Sequence, residues 1–356
     1  MNTRKITLLG PEGTNLTLLT IFLILNFVSW LTLFTLSGAL SFNLQNSVFR
    51  QISFSILAVL LFFAITYVSL DQIYKYTFIF YGVISILLIL LFATEPKEGV
   101  RRWFDLGVVD FQPSEYIKIG LVLFISRCIT ERYNKIYIGA ISIIPIALVF
   151  FQPDLGTTTL LVVITLSMFI VSDIKTRNIL SIALLGGVSF FGLLELGFIN
   201  SYQLNRITSF FESVDFAQSQ SRLAISSGGF TGQFFEVDKV NQIFIPVQST
   251  DFIFSAYAYQ FGFLGVTILF GLWGFFFYRV ARIILTTESD FEKFILAGFS
   301  ASLIFQIFIN ISTVIGVIPV TGMPFPLLSL GGSSIVATAV IFGIINRIFI
   351  ENNVVI

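Results

Sequence analysis

Asp251 stands in the run Gln248-Ser249-Thr250-Asp251-Phe252-Ile253-Phe254, where a polar loop turns into a long apolar stretch. A carboxylate at the mouth of a membrane helix is costly to place, which makes it a functional candidate by default. The positive end of the following helix dipole keeps such a group ionised, and an ionised carboxylate at a cavity mouth can act as a general base. The competing reading is local: Thr250 or Asp251 caps the helix that follows. Glu115 and Lys118 lie one turn apart behind Gln112-Pro113-Ser114. Their i,i+3 spacing lets them pair on one face, either as a structural ion pair or as part of a catalytic lining.

Three further segments carry polar chemistry. Arg101-Arg102-Trp103 offers two guanidiniums that suit a lipid diphosphate, or that serve as interfacial anchors. Asp154, in Gln152-Pro153-Asp154-Leu155-Gly156-Thr157, reads first as a cap or turn residue. The stretch from Pro319 to Ser334 is rich in Gly and Pro and includes Ser329 and Ser333. Non-helical backbone near membrane depth is tolerated only where protein buries it or where it lines a cavity.

The elements that must position these groups are membrane helices. The chain has 356 residues, of which 56% are hydrophobic and 11% charged, and its mean hydropathy is +0.92. Soluble domains carry about 25% charged residues, so the composition is that of a polytopic membrane protein. Apolar runs of about twenty residues recur about ten times, near 17–36, 48–68, 74–93, 113–131, 136–152, 157–172, 178–198, 251–285, 294–318 and 331–350. The expected fold is therefore all-α, one transmembrane domain over 1–356, with a long loop over 199–250. The first apolar run reads as a retained helix rather than a cleaved signal. Lys and Arg in the short loops favour both termini inside, which places the long loop and all five polar segments on the outer side. The Asn, Gln and Ser of that loop suit either sugar hydroxyls or a solvated connector.

Composition also excludes chemistry. The formal net charge is +0, which argues against a nucleic-acid partner. With no histidine and only Cys128, the chain has no Ser-His-Asp or Cys-His catalysis, no Cys-based metal cluster and no internal disulfide.

Several motifs in order, Gln-Pro-Ser-Glu, Gln-Pro-Asp-Leu-Gly-Thr, Thr-Asp-Phe-Ile-Phe and Pro-Val-Thr-Gly-Met-Pro-Phe-Pro with Ser-Leu-Gly-Gly-Ser-Ser, resemble the SEDS family of RodA and FtsW proteins. The resemblance runs from about Arg101 to Arg347. Gln152 and the Asp105-Leu106-Gly107 context lean towards its RodA-like branch. It implies an integral membrane glycosyltransferase that polymerises lipid II into peptidoglycan on the outer face of the bacterial cytoplasmic membrane. Carried over by residue, the essential aspartate falls on Asp251, the helix-start glutamate on Glu115 and the following lysine on Lys118. The arginine-tryptophan pair falls on Arg102 and Trp103. Three departures stand out: Ser249 where a His is frequent, Tyr259 and Gln260 where acids are usual, and Leu330 where a Tyr is common.

The expected catalytic residues are thus Asp251, Glu115 and Lys118. The expected substrate-binding residues are Arg101, Arg102, Trp103, Asp154, Thr250 and Ser333. A divalent cation, Mg2+ or Mn2+, is expected beside the diphosphate, with no nucleotide cofactor. Expected partners are lipid II, the growing lipid-linked glycan, membrane lipid and a class B penicillin-binding protein. The competing functions are a flippase for the lipid-linked precursor and a non-catalytic scaffold of a cell-wall synthase.

Overall fold

A computed structural model describes residues 15–37, 46–97, 99–107, 110–172, 215–234 and 248–352. The apolar run 178–198 and most of the 199–250 loop lie outside the described residues. Ten α-helices are described: α1 Leu16–Ser37, α2 Ser47–Thr66, α3 Leu70–Leu90, α4 Pro113–Thr130, α5 Lys135–Phe151, α6 Leu155–Val171, α7 Phe216–Ser227, α8 Ile253–Thr286, α9 Asp290–Val314 and α10 Gly332–Glu351. The all-α expectation meets one small exception. Phe104–Asp105 (β1) pairs antiparallel with Asp110–Phe111 (β2) just before α4.

Six helices, α1, α2, α3, α8, α9 and α10, are long and apolar enough to cross a membrane. The apolar helices α5 and α6 are shorter, and α4 carries Glu115, Lys118 and Arg127. The fold is that of a multi-pass membrane protein.

Local chemistry sets the helix starts. Asn46 caps α2 by accepting from the Val48 and Phe49 amides, and Ser69 with Gln72 forms a capping box at α3. Pro113 occupies the first turn of α4, where its missing N–H costs nothing. Two helices form the centre. α4 is buried along nearly its whole length between α3, α5, α6 and α9. The span of α10 is 83% buried, packed chiefly on α2. The Phe22, Phe62, Phe276 and Phe342 rings join α1, α2, α8 and α10.

The apolar run 251–285, longer than one span needs, is broken. Gly262 has φ 60° and ψ −164° inside α8, a conformation open essentially to glycine alone. The break divides α8 into a short buried half ending at Phe261 and a longer half beginning at Phe263. A break frees backbone groups that hydrocarbon cannot satisfy. Here a segment following α7 satisfies them. The Phe263 and Leu264 amides donate to the Gly229 and Phe230 carbonyls at 2.9 and 3.0 Å, and the Gln233 amide donates to the Tyr259 carbonyl at 3.0 Å. Tyr257 also spans the break, its hydroxyl donating to the Gly265 carbonyl at 2.7 Å.

α7 is itself anchored on the end of α9. Gln218 donates to the Thr313 and Ile318 carbonyls at 2.9 and 2.8 Å, and Ser221 donates to the Val314 carbonyl at 2.8 Å. The Thr313 and Val314 carbonyls are among those that the end of α9 leaves without helical partners, and Ile318 lies in the segment that follows.

The splint leaves no room for a side chain at Gly228 or Gly232. A Cβ at Gly232, where φ is +81°, would lie 2.0 Å from the Gln260 carbonyl oxygen. Gly232→Ala should therefore cost about 2–5 kcal/mol from strain and overpacking. It should also open the 228–234 segment to protease. Gly271→Ala, with open space around its Cβ, is the control. Wild-type melting and wild-type protection in Gly232→Ala would contradict the splint.

Candidate active site

The main chain before α8 is held on three successive carbonyls. Ser249 O accepts from the Leu330 amide at 2.8 Å. Thr250 O accepts from the Ser329 hydroxyl at 2.6 Å, and Asp251 O accepts from the Asn310 amide at 2.9 Å. The N-cap of α8 is Phe252, with no capping side-chain bond. The competing reading, in which Thr250 or Asp251 occupies the cap, does not hold. The grip on three carbonyls carries the turn one residue further, so Asp251 precedes the cap. Its side chain is half-buried, at the positive end of the short half-helix.

Glu115 and Lys118 pair as their spacing requires. Lys118 Nζ lies 2.6 Å from Glu115 Oε2, and the side chains are 1% and 6% exposed respectively. Each charge answers the other inside the bundle, as a buried ion must be answered. The neighbouring Ser114 hydroxyl is buried without a protein partner.

The other expected residues are largely committed to protein. Arg102 donates through Nε to the Gln152 carbonyl at 3.2 Å and through a second nitrogen to the Pro153 carbonyl. The guanidinium thus ties the segment before β1 to the turn between α5 and α6. Trp103 donates to the Gln112 side chain at 3.2 Å. Ser333 accepts from the Gln112 amide at 3.1 Å and donates to the Asp110 carbonyl at 2.9 Å, joining α10 to β2. Asp154 caps α6, accepting from the Thr157 amide and hydroxyl at 3.1 and 3.0 Å. Arg101 is the exposed guanidinium of the set.

The five segments meet at one end of the bundle. Arg102 links the first to the third, and Ser333 links the second to the last. A Cβ on Gly156 would lie 3.0 Å from the Thr321 carbonyl, which puts the third against the last. Asn310 bridges Asp251 and Met323, with its amide donating to both carbonyls.

Asn310 is the residue that motif reading missed. It sits in the apolar run of α9, and only its polarity there, repeated at Gln306 and Ser302 four and eight residues earlier, could have marked it. Ser329 was visible only as part of its segment.

Among the described residues, no three His, Cys, Asp or Glu side chains gather. The donor set of the described residues does not fit a divalent ion held by protein groups alone.

The model of the cell cycle protein family FTSW_RODA_SPOVE matches residues 15–354. The chain belongs to this family. It is 31% identical over 341 residues to the peptidoglycan glycosyltransferase MrdB of Helicobacter pylori, covering 90% of this chain and 86% of that one. It is 31% identical over 291 residues to an FtsW of Haemophilus influenzae, covering 77% and 73%. Both branches match at equal identity, so the RodA-like leaning rests on Gln152 and Asp105-Leu106-Gly107. A chain from a solved peptidoglycan synthase complex that coordinates polymerization and crosslinking superposes with a TM-score of 0.79 at 25% identity, over 96% of this chain and 98% of that one. An aspartate-to-alanine mutant of the Rod shape determining protein RodA of Thermus thermophilus superposes at 0.72 and 25%, over 96% and 99%. The fold is RodA-like.

Breaking the buried pair should be costly in either direction. Glu115→Ala or Lys118→Ala leaves an unanswered buried charge, worth about 3–5 kcal/mol. The double substitution should cost less than the two singles added together. Thermal unfolding of the four proteins measures this, and strict additivity would mean that the pair does not interact.

Proposed function

We propose that this chain is a peptidoglycan glycosyltransferase that polymerises lipid II into glycan strands for cell shape and elongation. The observation that carries the reading is Asp251. Its side chain is half-buried at the end of the bundle where all five polar segments meet, and its main chain is fixed by three hydrogen bonds. The named activity of the MrdB relative supports it.

The growing lipid-linked glycan is the donor and lipid II the acceptor. The acceptor GlcNAc 4-hydroxyl attacks C1 of the donor MurNAc. The bond from C1 to the diphosphate oxygen breaks, and undecaprenyl diphosphate leaves with the electron pair. An α-linked diphosphate that yields a β-1,4 product requires inversion, hence one displacement. Asp251 takes the hydroxyl proton.

Positive charge near the leaving diphosphate offsets its growing negative charge. Arg101 is the exposed candidate. Arg102 and Lys118 act from positions already bonded to protein. The diphosphate brings its own affinity for Mg2+ or Mn2+, and a cation carried in with the substrate needs no protein cage.

In this reading about ten helices span the bacterial cytoplasmic membrane, both termini lie inside, and the active end faces out. A class B penicillin-binding protein supplies the crosslinking. The synthase complex containing a similar chain supports that partner.

Two measurements test the assignment. Asp251→Asn keeps the shape and removes the base, so polymerisation of lipid II by the purified protein should fall about a hundred- to ten-thousand-fold. Near-normal glycan chains from a folded Asp251→Asn protein would sink the role. In a Cys128→Ser background, a cysteine at Gln233 should label from outside spheroplasts and one at Glu288 should not. The reverse pattern would turn the active end inward.

A further inference from the structure

We propose that Asn310 and Ser329 are positioning residues for Asp251, acting on its main chain rather than on substrate. The inference rests on the glycosyltransferase reading and deepens it.

The carbonyls of Thr250 and Asp251 precede the N-cap, so the helix offers them no donor. Each receives one from a buried side chain. Asn310 is 1% exposed and spends its side-chain nitrogen on two carbonyls, Asp251 at 2.9 Å and Met323 at 2.8 Å. Ser329 is 2% exposed, accepts from the Phe325 amide at 2.8 Å and donates to Thr250 at 2.6 Å. Neither residue is one of the groups expected to act on substrate.

What the two side chains fix is orientation. The peptide planes on either side of Asp251 set the direction of its Cα–Cβ bond. The Thr250 carbonyl belongs to the plane before it and the Asp251 carbonyl to the plane after it. Holding both leaves the carboxylate only its side-chain torsions. Asn310 stands on α9, and Ser329 lies in the non-helical segment before α10. The direction of the base is therefore referred to two independent parts of the bundle. Misplacing a reacting group by about 1 Å can cost about a hundredfold in rate.

The test uses the full-length wild-type protein, Asn310→Leu and Ser329→Ala, each reconstituted in vesicles with lipid II. Asn310→Leu removes both donors at similar volume. Ser329→Ala is the milder change and keeps the test alive should the first variant not fold. Expected for each folded variant is a fall in kcat of about ten- to a hundredfold with KM for lipid II within about twofold. Amide hydrogen exchange should quicken in 249–256 and stay at wild-type rates in 113–130 and 155–171.

Wild-type kcat despite local loss of protection would overturn the proposal. So would a kcat that falls only with the folded fraction while exchange quickens across all three regions, because that is a packing role. A wild-type chain that leaves lipid II unpolymerised overturns the activity itself. The exchange data then decide alone whether the two side chains hold Asp251.

Discussion

A chain that leaves helical geometry inside a helix bundle must supply partners for every backbone group it frees, because hydrocarbon offers none. That requirement organises one end of this molecule. Beside the break at Gly262, the segment 229–233 answers two amides and a carbonyl. The segment can do so only because glycines let two backbones approach to a distance that a methyl group would forbid. Its own anchorage comes from Gln218 and Ser221 on the last carbonyls of α9 and on Ile318 just beyond it. The same helix end sends Asn310 to Asp251. The end of α9 is thus the common support of the splint and of the candidate base.

The polar residues of the site divide by what they touch. Arg102, Trp103, Ser333 and Asp154 bond to backbone or to side chains of neighbouring segments, and they shape the end of the bundle. Glu115 and Lys118 cancel each other in burial, which brings two charges inside the bundle without a net one. Asp251 is half-buried and Arg101 exposed at the same end of the bundle. A negative group to receive a proton and a positive one to face a diphosphate are what the proposed displacement needs.

Much of this was legible in the sequence, for identifiable reasons. Helices announce themselves through long apolar runs, and Glu115 with Lys118 through i,i+3 spacing. Asp154 announced its capping role through the Pro153 before it and the Thr157 three residues on. The break in α8 was visible only as excess length, since Gly262 resembles the other glycines of its helix until its φ is known. The cap of α8 was not legible because the donors that extend its turn, Leu330, Ser329 and Asn310, lie about sixty to eighty residues away in sequence. Asn310 carries no motif. Tertiary bonds of this kind leave no local pattern to read.

The splint also bears on how the protein is made. Chains emerge from the ribosome N-terminus first, and their parts assemble in that order. The segment 228–233 is therefore synthesised before the helix it supports. α9, which anchors α7, comes after both. When α8 enters the membrane, the donors and acceptors for its break already exist but are not yet moored. The discontinuous helix is consequently a late product of insertion. The bonds that moor α7 can form only once the end of α9 has been made.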